Sequence, residues 1–166
     1  LHHALKSAVD QRLLPYNPAD HVAPPKVAHK TMITLNDEQM DIFLSAVKQD
    51  PIWYDFFYTE LTTGLRLGEI CGLMWQDFDE KAGTLKILRS VNVPKAGELE
   101  IGETKTSQGR RTIRLPPSTV QRLKERRKHA VSQWIFPEPL APEKPVRPSA
   151  AYYWMKRILR EAGLPA

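Results

Sequence analysis

The sequence has few of the residues that build disulfides, metal clusters or membrane spans. It contains one cysteine, Cys71, in 166 residues, which excludes an internal disulfide and a cysteine-cluster metal site. No run is long and apolar enough to predict a membrane-spanning helix. Residues 1–13 show helical spacing of apolar groups and not the pattern of a secretory signal. We therefore expect a cytoplasmic protein without membrane contact.

Several signatures of enzyme chemistry are also missing. The sequence contains no Gly-x-x-x-x-Gly-Lys loop for nucleoside triphosphates and no Gly-x-Gly-x-x-Gly fingerprint for dinucleotides. It contains no Gly-x-Ser-x-Gly nucleophile elbow. Its five histidines do not show metal-ligand spacing with acidic residues. These absences disfavour nucleotide-dependent enzymes, hydrolases with a serine elbow and metalloenzymes.

What the sequence does contain is an uneven distribution of positive charge. Its 42% hydrophobic and 26% charged residues predict a globular domain. The net charge is +5, and nine basic residues with only one acidic residue lie between Lys105 and His129. This concentration favours a polyanionic partner, most simply nucleic acid. The alternative is a solvated helix face beside a basic hairpin, and for Arg122 to Lys128 taken alone we favour that alternative.

The residue pattern predicts an α+β fold, mainly helical with a three-stranded antiparallel β-meander. An acidic capping box at Thr34 and Asp37 opens the first helix of this fold. Further helices are predicted over 51–63, 67–74, 117–132 and 149–162. The strands of the meander are predicted over 84–93, 98–103 and 111–115. The proline-rich stretch 137–148 is predicted to be a loop.

Four prolines between residues 15 and 30 predict an extended interdomain linker. The helix before this linker, residues 1–14, then belongs to a preceding domain. Residues 31–166 form the second domain.

Arg66 is the residue that most requires an explanation. It follows an apolar helical run, Ile52 to Leu61, and Gly64, which we expect to end that helix in a left-handed conformation. A guanidinium in such surroundings needs an anion, and its planar fork suits a phosphate or a carboxylate equally well. Glu69 lies three residues on, so it either forms an internal ion pair with Arg66 or orients Arg66 for a ligand.

A second group of candidate residues lies at a turn near Lys105. The hydroxyls of Thr106 and Ser107 follow this lysine, and Arg110 and Arg111 stand on the returning side of the turn. A cationic hairpin of this kind can straddle a phosphate backbone. Its lysine can supply positive charge or a proton. The alternative is a solvated β-turn.

These two segments together resemble tyrosine recombinases of the phage-integrase type, such as integrases of phages and conjugative transposons. Residues 63–70, which read TGLRLGEI and are followed by Leu73, Trp75 and Asp77, resemble the first arginine box of that family. Residues 104–115 are similar to its β-hairpin with the catalytic lysine. The resemblance covers about residues 31–166, and it implies that residues 1–14 are the last helix of a core-binding domain.

The resemblance implies a DNA strand-exchange chemistry without metal or nucleotide cofactor. In the full-length protein a tyrosine attacks a backbone phosphate of double-stranded DNA and forms a 3′-phosphotyrosyl intermediate, in assemblies with other recombinase protomers. The resemblance assigns Arg66 to the phosphate oxygens, Lys105 to protonation of the departing 5′-oxygen, and Glu69 to support of Arg66. Thr106, Ser107, Arg110 and Arg111 are assigned to the DNA backbone.

The sequence departs from this family in one large respect. It has no His-x-x-Arg box, and its tyrosines, Tyr16, Tyr54, Tyr58, Tyr152 and Tyr153, do not lie where the nucleophile is expected. We therefore expect the N-terminal part of a catalytic domain, inactive by itself. Two alternatives stay open: a non-catalytic DNA-binding or regulatory remnant of an integrase, and a purely structural α+β domain.

Overall fold

The computed structural model describes residues 1–23, 34–94, 97–103 and 109–165, and for Glu103 only the backbone. The chain divides into two compact units, Leu1–Ile33 and Thr34–Ala166. Within the described ranges, no helix combines the length and the apolar character needed to cross a membrane.

The first unit is a helix on which the following residues fold back. Helix α1 spans His2–Asp10. The buried Asn17 side chain donates to the His2 carbonyl oxygen at 3.3 Å, and His2 Nε2 lies 2.8 Å from Asp20 Oδ1. The described part of the predicted linker 15–30 ends at residue 23. This part turns back onto α1 and does not run extended. The domain assignment on either side of it stays a prediction.

The second unit contains five helices in its described part. They are α2 (Asp37–Val47), α3 (Pro51–Thr63), α4 (Leu67–Cys71), α5 (Pro117–Arg127) and α6 (Pro148–Glu161), with a 3₁₀ turn at Trp75–Asp77 after α4. The start of α3 follows the predicted rule, because Asp50 Oδ1 accepts from the backbone N–H groups of Ile52 and Trp53, each at 3.0 Å. Helix α5 ends before the predicted Ser132, with three basic residues in its last turn.

The capping box of α2 differs from the predicted one. Asn36 is the N-cap residue, and its side chain accepts from the Gln39 backbone N–H at 2.8 Å. The Gln39 side chain in turn accepts from the Asn36 backbone N–H at 3.0 Å. The prediction of a box at Thr34 and Asp37 was wrong by two residues, because an amide pair replaces the hydroxyl–carboxylate pair that the pattern favoured.

The strands confirm the α+β class and the antiparallel pairing, but the strand order is not that of a simple meander. The described strands of this region are β1 (Phe78–Asp79), β2 (Thr84–Ile87), β3 (Arg89–Asn92), β4 (Glu100–Glu103) and β5 (Arg111–Arg114). Strand β2 lies between β1 and β5, whereas β3 pairs with β4 alone. The single predicted strand 84–93 is interrupted at Leu88, so its two halves take different partners.

The two pairings follow one another along the chain. Arg89 pairs with Glu103 at the end of one ladder, and Ile87 pairs with Arg111 at the start of the next. In the sequence only Leu88 separates β2 from β3, whereas residues 104–110 separate β4 from β5. Lys105 therefore lies in the sequence between Glu103, the last residue of β4, and Arg111, the first residue of β5.

The proline-rich stretch after α5 is a hairpin and not the predicted loop. Strands β6 (Pro137–Glu138) and β7 (Ala141–Pro145) pair antiparallel. The Val146 N–H donates to the Phe136 carbonyl at 2.9 Å, directly after this hairpin. Proline has no backbone N–H to donate, but short edge strands can contain it. A proline-rich sequence therefore does not distinguish such strands from a loop.

The core of the second unit centres on α3, as its nearly uniform apolar sequence predicted. Phe56 contacts the ring of Phe136 at a centroid distance of 5.1 Å, and Trp53 stacks on Trp154 of α6 at 5.8 Å. Cys71 is fully buried in the same core, as expected for a small hydrophobic residue. This core fixes the C-terminal end of α3, where the turn to α4 begins.

Candidate functional site

The turn between α3 and α4 presents Arg66 to solvent. Gly64 ends α3 with φ of +63°, the left-handed conformation that the sequence predicted. Leu65 then enters the core, and Arg66 becomes the N-cap residue of α4 with extended backbone dihedrals. The Arg66 side chain is 81% exposed. Its guanidinium therefore lies at the surface, above a buried apolar residue.

Glu69 is the buried acid that holds this turn. Its side chain is only 4% exposed. One carboxylate oxygen, Oε2, accepts from the Arg66 backbone N–H at 3.1 Å, and the other, Oε1, accepts from Arg66 Nη1 at 3.1 Å. The predicted Arg66–Glu69 ion pair is present. It is not internal, because the arginine half of the pair remains in solvent.

Arg111 provides the second guanidinium on this carboxylate. Its Nη2 donates to Glu69 Oε2 at 2.8 Å and its Nη1 donates to Oε1 at 3.0 Å, which is a bidentate contact. The hydrogen bonds from Arg111 are the main reason that the pKa of Glu69 falls to about 2, against the opposing effect of burial. The same contact raises the pKa of Arg111.

Sequence reasoning treated Arg110 and Arg111 alike, and the structure separates them. Strand β5 alternates half-buried and exposed residues, with Arg111 and Ile113 on the inward side. Arg110 precedes the strand and is exposed. The alternation of β5 was the signal that could have placed Arg111 on the inward face of the strand, because Ile113 identifies that face.

The structure brings together Arg66, Glu69 and Arg111 among the predicted site residues. Lys105, Thr106 and Ser107 lie outside the described residues. The two ends of their segment are described: Glu103 pairs with Arg89 and Arg111 pairs with Ile87. The segment is therefore attached at Arg111 directly beside the Glu69 carboxylate.

Asp77 and Arg89 form a buried ion pair that the sequence did not predict. Arg89 of β3 binds the buried Asp77 through Nη1, and the same Nη1 lies 3.4 Å from the Gly72 carbonyl oxygen. Buried carboxylates are almost always paired. Asp77 stands between Gln76 and Phe78 and close to other acidic residues, so the sequence alone indicated neither its burial nor the cation that it meets.

The basic helix α5 contains a second cluster of two arginines on one acid. Asp55 of α3 accepts from Arg122 Nε at 3.0 Å and from Arg126 Nη1 at 3.4 Å. The prediction that Arg122 to Lys128 is a solvated face was wrong for these two arginines. They cover aromatic rings, Arg122 that of Tyr54 at 4.1 Å and Arg126 that of Phe136 at 4.9 Å.

Comparison with known proteins identifies the family. A family model described as the phage integrase family matches residues 34–165. The chain belongs to the phage integrase family. The resemblance to tyrosine recombinases, drawn from residues 63–70 and 104–115, is confirmed.

Individual relatives agree with this assignment. The ICEBs1 integrase of Bacillus subtilis (strain 168) is 32% identical over 113 residues, which are 64% of this chain and 29% of that protein. The Tn1549 transposon integrase, solved in complex with transposon right end DNA, matches with a TM-score of 0.76 at 22% identity. That match covers 96% of this chain and 55% of the solved one.

A lambda integrase dimer bound to a COC' core site has the same fold, with a TM-score of 0.68 at 18% identity. The match covers 99% of this chain and 44% of that chain. This integrase-family chain therefore spans about half the length of the solved integrases and less than a third of the ICEBs1 integrase.

Proposed function

We propose that this chain is the N-terminal part of the catalytic domain of a tyrosine site-specific recombinase. In the whole protein it acts on double-stranded DNA in the cytoplasm, together with other protomers, and inserts or excises a mobile element. Residues 1–14 belong to the preceding core-binding domain, and residues 15–30 connect the two domains. The family membership and the DNA-bound integrases of the same fold support this proposal.

The observation that carries the proposal is the exposed Arg66 guanidinium above a buried, doubly bound Glu69. Arg126, whose donors are used within the fold, has a side chain that is only 15% exposed. Arg66 instead leaves most of its donors in solvent while its backbone and one nitrogen are held by Glu69. A guanidinium fixed in this way can bind a non-bridging phosphate oxygen with little further loss of conformational freedom.

The chemistry assigned to the site needs two positive groups on one phosphodiester. A tyrosine hydroxyl gives its proton to a base or to water, and its oxygen attacks phosphorus. The bond from phosphorus to the 5′-oxygen breaks, and Lys105 gives its proton to that leaving oxygen. Arg66 stabilises the charge that grows on the non-bridging oxygens. Rejoining reverses these steps, because the phosphotyrosyl bond retains the energy of the phosphodiester.

The remaining predicted residues serve positioning in this scheme. Glu69 fixes Arg66, and Arg111 shields the Glu69 charge while holding the returning end of the hairpin. Arg110, Thr106 and Ser107 contact the DNA backbone without reading its sequence. Because the sequence contains no His-x-x-Arg box and no tyrosine where the nucleophile is expected, we expect that the chain by itself does not cleave DNA.

A DNA-binding titration tests the proposal. We expect weak binding that falls with salt, with a log–log slope of about −4 to −5 if roughly four to six phosphates are contacted. Arg66→Ala should reduce the affinity about tenfold and the slope by about one. Lys48→Ala, which removes the same charge at the end of α2, is the matched control. Affinity independent of salt and of Arg66 would contradict the proposal.

Incubation with a suicide DNA substrate tests the expected inactivity. The chain should form no covalent protein–DNA adduct, since the attacking group of the scheme is absent. A covalent adduct would show that one of the five tyrosines acts as a nucleophile.

A non-catalytic remnant of an integrase is the second candidate. The bidentate hold of Arg111 on Glu69 is equally compatible with DNA binding alone. The reading frame beyond Ala166 distinguishes the two candidates. A His-x-x-Arg box and a late tyrosine there indicate an enzyme, whereas a stop codon indicates a remnant.

A further inference from the structure

Helix α4 lies unusually close to strand β3. A Cβ atom added at Gly68 would lie 2.5 Å from Ser90 Oγ and 2.8 Å from the Val91 carbonyl oxygen. One turn on, a Cβ at Gly72 would lie 3.1 Å from Arg89 Cγ. Neither glycine has a positive φ. Gly68 is therefore needed for space and not for backbone conformation, whereas Gly72 leaves only narrow space beside Arg89.

The Arg89–Asp77 pair closes the same contact at its far end. Arg89 belongs to β3, Asp77 to the 3₁₀ turn after α4, and the Gly72 carbonyl oxygen to the end of α4. Both side chains are largely buried. Because the contribution of a buried ion pair to stability is small, its more useful effect is a fixed geometry between the elements it joins.

This contact connects both ends of the segment that carries Lys105 to the turn that carries Arg66. At one end, Arg89 packs on α4 and pairs with Glu103, where the segment begins. At the other end, Arg111 binds Glu69 of α4, where the segment returns. A shift of α4 along β3 would therefore move Arg66 relative to the attachment points of Lys105.

We propose that Gly68, Gly72 and the Arg89–Asp77 pair are positioning residues that set the place of Arg66 relative to Glu103 and Arg111. The inference rests on the proposed function, in which Arg66 and Lys105 act on one phosphodiester and Lys105 lies in the sequence between those two residues. It goes beyond that function by assigning the placement of Arg66 against Glu103 and Arg111 to a small-residue contact and one ion pair. If the contact served only stability, its loss would weaken the fold without changing what Arg66 does.

Two measurements on Gly68→Ala test the inference. Gly102→Ala is the matched control, because a Cβ at Gly102 meets nothing within 4 Å. The first measurement is nitrogen NMR of the Arg111 guanidinium, whose bidentate contact with Glu69 slows rotation of its terminal nitrogens. Gly68→Ala should speed this rotation about tenfold or more, whereas Gly102→Ala should leave it unchanged. Unchanged rotation in folded Gly68→Ala would overturn the inference.

The second measurement is a double-mutant cycle for DNA affinity. Arg66→Ala should cost about tenfold in the unmodified chain but less than about threefold in the Gly68→Ala background, since Arg66 is then displaced. Additive effects, with Arg66 equally important in both backgrounds, would also overturn the inference. A loss of no more than twofold on Arg66→Ala in the unmodified chain would instead contradict the proposed function, and the NMR result would still decide the positioning.

Arg89 variants provide the test if Gly68→Ala does not fold. Arg89→Met should speed the rotation of the Arg111 guanidinium and reduce the effect of Arg66→Ala, whereas Arg89→Lys should restore part of both. Equal behaviour of folded Arg89→Met and the unmodified chain in both measurements would overturn the inference. Circular dichroism identifies which variants are folded.

Discussion

Two clusters in this chain have the same composition and differ in what they leave exposed. Glu69 binds Arg66 and Arg111, and Asp55 binds Arg122 and Arg126. In the first cluster the side chain of Arg66 is 81% exposed. In the second cluster both guanidinium groups lie over aromatic rings.

The surroundings of each arginine explain the difference. Arg126 Nε donates to the Ile135 carbonyl at 2.8 Å and Nη1 donates to the Pro51 carbonyl at 3.3 Å, so its donors are used by the fold. Burial also lowers the pKa of Arg126. Arg66 lies two residues after a left-handed glycine, at a helix start where no strand or helix in the described part of the chain covers it. Two arginines on one acid thus leave a cation available to a ligand or use both cations within the fold, according to whether a guanidinium remains uncovered.

The largest expected effect belongs to the structural cluster. Arg126→Ala should lower the free energy of unfolding by about 3 kcal/mol, because Asp55 and two carbonyl groups lose a buried partner. Urea denaturation measures this change. DNA affinity, measured where the variant is folded, should change by less than about twofold. A large loss of affinity without a loss of stability would reverse the assignment of the two clusters.

Removal of the acid from the candidate site should cost less and should also change the pH dependence of stability. The pKa of Glu69 is lower in the folded state than in the unfolded chain, so its stabilising contribution is complete above about pH 4.5 and is lost as pH falls towards 2. Glu69→Gln should remove about 2 kcal/mol at pH 7, because one partner, Arg66, is screened by solvent.

Urea denaturation of the Glu69→Gln variant at pH 7 and pH 3 measures this effect. The difference in stability between the variant and the unmodified chain should be smaller at pH 3. An equal difference in stability at both pH values would show that packing, and not charge, accounts for the contribution of Glu69 to stability.

DNA affinity should depend on the Glu69 cluster, which leaves Arg66 exposed, and not on the Asp55 cluster. Arg66→Ala and Arg122→Ala each remove one positive charge, but only the first should weaken DNA binding by about 1.4 kcal/mol, which is tenfold. Its free energy of unfolding should change by less than about 0.5 kcal/mol, since the side chain is exposed. Fluorescence anisotropy with a labelled duplex measures both variants. Equal losses of affinity would mean that DNA responds to net charge and not to this site.

The smallest effect is expected at an exposed pair of the same basic helix. Lys124 Nζ lies 3.1 Å from Glu80 Oε1, and both side chains are partly exposed. Lys124→Ala should change the free energy of unfolding by no more than about 0.5 kcal/mol, because surface ion pairs contribute little. Thermal unfolding of Lys124→Ala and of Arg126→Ala compares an exposed and a buried cation of the same helix. A loss of stability comparable to that of Arg126→Ala would show that solvent exposure does not determine how much a cation of this helix contributes to stability.

The sequence predicted those features that depend on local patterns. Gly64 as a left-handed stop, Asp50 as an N-cap and α3 as the central helix all follow from rules within one turn of the chain. The arginine box at Arg66 and the charged turn at Lys105 were sufficient to predict the family. Each of these features is encoded by neighbours in sequence.

The features that escaped prediction depend on partners distant in sequence. Arg111 and Glu69 are 42 positions apart, and Arg122 and Asp55 are 67 apart. The break at Leu88 likewise depends on which strands are available to each half of residues 84–93. The sequence shows which charged or β-branched residues a run contains. It does not show which partner each of these residues contacts in the fold.

The two separate ladders limit what a change of chain length between Glu103 and Arg111 can disturb. Strand β2 keeps its register with β5, and β3 keeps its register with β4, because each pair is fixed by its own residues. An insertion or deletion in this interval therefore slides neither pair of strands. The contact of Arg111 with Glu69, and with it the framework that carries Arg66, stays constant.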